Sequence, residues 1–121
     1  MRNEDLFLKD ILDSIENIEK FMKNISKEYF LKNREKQNAV IREIEIIGEA
    51  VKNISDETRK KYPEVEWKNI AGTRDIFIHG YFRVDLERVW DILENNLKDL
   101  KQKIQNVKNH LGLKSVARSG S

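Results

Sequence analysis

Apolar residues recur along this chain at alternating spacings of three and four. Leu8, Ile11, Ile15, Ile18, Met22 and Ile25 form the first such run, with charged residues on the other faces. A period near 3.6 is the mark of an amphipathic helix. Glu4 and Asp5, just after Asn3, suit its positive N-terminal end. From Ser26 to Asn33 the period fades, which predicts a bend or break. A second seam runs through Val40, Ile44, Ile47, Val51 and Ile54, and Ile41 and Ile46 widen it. Ser55 then reads as an N-cap, with acids directly after it, and Pro63 ends the short helix that follows. A third seam uses Trp67, Ile70, Ala71, Phe77 and Ile78. Asp85 caps the last segment, where Val89, Leu93, Leu97, Leu100, Ile104, Val107 and Leu111 recur up to a stop at Gly112, with His110 in the final turn. No strand alternation and no internal repeat stands out. The expected fold is all-α, an up-and-down bundle of four to five helices.

Composition narrows this further. A length of 121 residues suits one domain, assigned to 1–113, with 114–121 read as a flexible tail of the kind an expression vector appends. The 36% charged content fits long solvated helices, and the net charge of +2 selects no partner by itself. The chain has no cysteine, so disulfides, thiolate nucleophiles and cysteine-based zinc sites are excluded. The acidic start "MRNEDLFLKD" is unlike a signal peptide. No apolar run approaches the ~20 residues of a membrane helix. These features predict a cytoplasmic protein without a membrane partner.

One stretch, "TRDIFIHGYF" from Thr73 to Phe82, is chemically unusual. At 100° per residue Arg74 falls roughly 20° from the line of Trp67, inside the apolar stripe, and Tyr81 would fall roughly 40° from it. A buried guanidinium needs an acidic partner, an opening to solvent or an anionic ligand. The plain alternative is an arginine that extends its head to water beside a core-edge glutamate. His79 lies roughly 140° around from Arg74, and Asp75 is its neighbour at four-residue spacing. That spacing is equally the mark of a surface ion pair. As a site, Arg74 would hold a phosphate in a bidentate fork and His79 would move protons at neutral pH. This set suffices for RNA cleavage without a metal or other cofactor, and the sequence has no HExxH motif. The lysine-rich stretch after Lys98 would suit a phosphate backbone, or simply a helix end. Trp67, Phe77 and Phe82 would stack a base, or simply fill a core.

The run "RDIFIHGYF" fits the Arg-x4-His-x-Tyr motif of HepT proteins, a branch of the HEPN superfamily. The flanking "IEIIGEAVKNIS", "WKNIAGTRD" and "VDLERVWDILENNLKDLK" are similar to the same family, from about Asp10 to about Lys103. The resemblance implies a HEPN-like bundle that dimerises and a metal-independent endoribonuclease serving as the toxin of a toxin–antitoxin pair. It implies Arg74 and His79 as the catalytic pair and Asp75 as a supporting residue. Tyr81 would accept AMP from a small MNT-type nucleotidyltransferase, the antitoxin partner. A two-fold axis would let residues on separate flanks of one helix meet their counterparts, giving a homodimer a chemical purpose. Two rivals remain open from sequence. One is a non-catalytic partner and modification substrate of the transferase. The other is a helical scaffold without chemistry.

Overall fold

The computed structural model describes residues 4–78 and 85–119, with side chains described for 4–73 and 85–112. The described residues form seven helices and no strand: α1 (Glu4–Met22), α2 (Lys27–Lys32), α3 (Arg34–Lys52), α4 (Asp56–Lys61), α5 (Trp67–Ile78), α6 (Leu86–Asn95) and α7 (Leu97–Ser119). The all-α expectation holds. The helix count exceeds the four to five expected because the Ser26–Asn33 connection is itself the six-residue helix α2 and the last seam is divided.

Capping chemistry explains the divisions. Ser26 accepts from the Tyr29 N–H at 3.1 Å and starts α2. Asn33 ends α2 and starts α3, its Oδ1 accepting from the Lys36 N–H at 2.8 Å. Its side-chain amide donates to the Tyr29 hydroxyl at 2.9 Å, so the bend expected between Ser26 and Asn33 is fixed by local bonds. Ser55 caps α4, and Tyr62 ends it immediately before Pro63, as the sequence predicts. Asp85 caps α6, accepting from the Arg88 N–H at 3.1 Å.

Two expectations are corrected. The long final seam does not form one helix: it breaks at Asn96, between α6 and α7. Apolar spacing continues across this point, but asparagine side chains compete for local hydrogen bonds and weaken a helix interior. The Asn96 N–H still bonds the Ile92 carbonyl at 3.0 Å, but its φ of −115° departs from helical geometry and closes α6. Gly112 does not end α7, which continues to Ser119, so His110 is not in a final turn. Nothing approaches a Cβ built at Gly112, and the backbone there remains helical.

The long helices pack α1 on α3, α3 on α5, and α1 on α7, while α6 rests on α7 and touches α2. Glu4 at the start of α1 bonds Ser55, just beyond the end of α3, so α1 and α3 run in opposite directions. Lys108 reaches Asp5 at 3.2 Å and Lys101 reaches Glu19 at 2.8 Å, so α7 also opposes α1. The core is filled by Leu8, Ile11, Ile15, Val40, Val51 and Ile104, all fully buried. Among the described residues no helix is long and apolar enough to cross a membrane.

Candidate active site

The candidate site begins on α5, and the residues before it explain where that helix starts. Arg59 of α4 turns back on the end of α3, donating from Nη2 to the Val51 carbonyl at 2.7 Å and from Nε to the Ile54 carbonyl at 3.2 Å. Both carbonyls lie at the C-terminal end of α3, where a cation is favoured. After Pro63 the chain turns tightly, with the Trp67 N–H donating to the Val65 carbonyl at 2.9 Å. Trp67 is buried, and its indole N–H donates to the Tyr62 carbonyl at 3.0 Å. This one side chain fills core volume and satisfies a backbone acceptor of the turn, which sets the position of α5. Ile70 and Ala71 pack half-buried against the core, and the Thr73 hydroxyl donates back to the Asn69 carbonyl at 2.9 Å.

Arg74 and Asp75 lie within α5, continuous with this anchored turn, so the helical placement expected for them is met in the backbone. Their side chains, and His79 and Tyr81 altogether, lie outside the described residues. The expected turn after Gly80 and the base-stacking role of Phe82 lie outside them too. So does the side chain of Phe77. The described structure brackets the six residues 79–84 between the end of α5 and the Asp85 cap of α6. On the far side α6 is held firmly. Val89 is fully buried, the Trp90 ring lies 5.7 Å from that of Phe30 at a 40° tilt, and Glu87 pairs with Lys27 at 2.7 Å. Both supports of the motif are therefore packed elements.

Two alternatives left open by the sequence are decided here. Trp67 is 5% exposed and belongs to the core, so it offers no face for a base. The lysine-rich stretch after Lys98 is largely engaged: Lys101 with Glu19, Lys103 with Asp99 and Lys108 with Asp5. Those acids hold the Lys101 and Lys103 ammonium groups more firmly protonated than usual. Two of these lysines join α7 to α1, an architectural task.

The structure also shows a polar pair that spacing could not reveal. The Tyr62 hydroxyl and His110 Nδ1 are 2.9 Å apart, with their rings edge-on at 5.7 Å. Burial pushes the Tyr62 phenol above its ordinary pKa, with Glu64 adding to the effect. The residues are 48 positions apart, so no periodic signal connects them. Among the described residues no group of three or more His, Cys, Asp or Glu side chains is arranged to hold a metal.

The architecture defines the class, an all-α bundle of the HEPN-like kind. The family model described as "Ribonuclease HepT-like" matches residues 11–107. A protein of Methanocaldococcus jannaschii named "Putative RNase" is 41% identical over 105 residues, covering 84% of this chain and 87% of that one. "Probable ribonuclease HepT" of Thermococcus cleftensis is 40% identical over 107 residues, covering 88% and 97%. A "Putative RNase" of Caldanaerobacter subterraneus subsp. tengcongensis is 37% identical, covering 88% and 96%. No solved structure matched the chain. This chain belongs to the HepT-like ribonuclease family.

Proposed function

We propose that the protein is a metal-independent endoribonuclease of a HepT/MNT toxin–antitoxin pair, with Arg74 and His79 as its catalytic residues. The observation that carries this reading is the Arg-x4-His-x-Tyr motif, starting on α5, inside a family match that spans residues 11–107. His79 acts as general base on the ribose 2′-hydroxyl, whose oxygen attacks the adjacent phosphorus and expels the 5′-oxygen. Arg74 offsets the charge that grows on the phosphoryl oxygens. Asp75, four residues before His79, orients the imidazole and favours its basic tautomer. A homodimer sets two such motifs in one cleft. The antitoxin, an MNT-type nucleotidyltransferase, transfers AMP from ATP to the Tyr81 hydroxyl, breaking the α–β phosphoanhydride bond and releasing pyrophosphate. The added phosphate is anionic, so it competes with the RNA phosphate for Arg74 and shuts the site.

Purified protein is expected to cleave RNA equally with and without EDTA. His79→Ala should lower the rate by about 100-fold or more, the usual weight of a general base. Cleavage by His79→Ala at the parental rate would remove His79 from the mechanism. With the cognate transferase and ATP, intact mass should rise by AMP increments, and Tyr81→Phe should abolish the rise.

A further inference from the structure

RNA longer than one phosphodiester has to lie somewhere on the protein beyond the catalytic pair. The lysines of α7 at 101, 103 and 108 are engaged by acids. The groove between α1 and α3 carries Asp10, Glu45 and Glu49 against Arg42, a balance that repels a polyanion. The groove at the junction of α4 and α5 differs. It has a volume of about 400 Å³, with Pro63, Val65 and Trp67 in its wall and Arg59, Lys60 and Lys68 against a single acid, Glu66.

Arg59 is occupied at the end of α3, and Lys103 shares the field of Glu66. Asp56 and Glu57 lie at the opposite end of the short α4. Lys60 and Lys68 are exposed and make no ion pair among the described residues. Lys68 shares α5 with Arg74, six residues away, which is about 9 Å along the helix axis. At 100° per residue the two also stand about 120° apart around the axis, so a strand joining them would wrap the helix.

We propose that the α4–α5 groove is a binding site for the single-stranded RNA flanking the scissile phosphate, with Lys60 and Lys68 holding its phosphates. This inference rests on the ribonuclease reading and specifies where that substrate extends. The site touches flanking nucleotides and leaves the chemical step to the motif, so its loss raises KM and spares kcat.

The test compares full-length parent, Lys60→Glu/Lys68→Glu and Lys20→Glu/Lys23→Glu on a fluorescent 12-nucleotide oligouridylate. The third protein carries the same charge change, and Lys20 lies about 24 Å along α1 from Glu4, the end that meets α4. Binding is measured against salt, and cleavage kinetics alongside. Losing two phosphate contacts should make the log–log salt slope shallower by about 1.4, at roughly 0.7 per contact for single strands. KM should rise in Lys60→Glu/Lys68→Glu and stay at the parental value in Lys20→Glu/Lys23→Glu. The milder Lys60→Gln/Lys68→Gln should shift both quantities in the same direction. Equal slopes and equal KM in parent and groove variant would overturn the proposal while leaving the nuclease intact. Equal losses in both charge-reversed proteins would also overturn it, since net charge would then explain them. A parent that neither binds nor cleaves RNA would overturn the ribonuclease reading itself and the groove with it.

Discussion

Glu4 shows how one residue takes on two structural tasks. In the first turn of α1 its charge suits the helix dipole. The same carboxylate accepts from the Ser55 N–H and the Thr58 hydroxyl, at the start of α4. Partial burial pushes its pKa up, but the bonds from Thr58 and Ser55 outweigh this and hold the carboxyl below its ordinary 4.5. The sign follows from linkage. A depressed folded pKa contributes stability that is present above the unfolded value and is lost as pH falls through the folded one. Parent stability should therefore decline as pH drops below about 4.5, and Glu4→Gln should flatten that part of the curve. At pH 7 Glu4→Ala should cost about 1 kcal/mol in chemical denaturation, as loss of a cap does. Acids in a first turn were legible in the sequence. The partner 51 residues away was not, because a helical period carries no information across helices.

At the scale of elements, α5 depends on its first residue. Trp67 combines a buried ring with a bond to the Tyr62 carbonyl. Trp67→Phe keeps most of the volume and loses the donor, while the Tyr62 carbonyl keeps its bond from the Val65 N–H at 3.2 Å, so it should cost about 0.5–1.5 kcal/mol, the net worth of one hydrogen bond. Trp67→Ala adds a cavity and should cost about 3–5 kcal/mol. If α5 presents Arg74, cleavage should fall in both variants under conditions where circular dichroism shows the fold retained. Rates unchanged in a folded Trp67→Ala would show that the motif is positioned independently of this anchor. The sequence marked Trp67 as the start of a seam but also offered it as a stacking platform. Burial decides between these, and burial is a property of the packed bundle. The break at Asn96 carries a similar lesson: apolar spacing runs through it unchanged, while the backbone at Asn96 leaves helical geometry.

Across the whole molecule, charge is divided between joining helices and facing outward. Lys101 and Lys108 span α7 and α1, yet both pairs are partly exposed, so each should contribute no more than about 1 kcal/mol. Lys108→Ala should shift the denaturation midpoint only slightly, and raising salt should erase even that difference. Core truncation gives the contrast: Ile15→Ala, at a fully buried position between these helices, should cost about 2–5 kcal/mol.

By itself the sequence determined the all-α class, the caps at Ser55 and Asp85 and the resemblance to its family. These follow from local chemistry: apolar period, capping side chains, proline, and residue types at fixed spacing. Tertiary structure alone decided that Trp67 is core, that Lys101 and Lys108 join α7 to α1, that Tyr62 meets His110, and that Lys60 and Lys68 share one groove. Each of these depends on which faces of distant helices meet. That choice is made by burying several apolar stripes together, and no single stripe contains it.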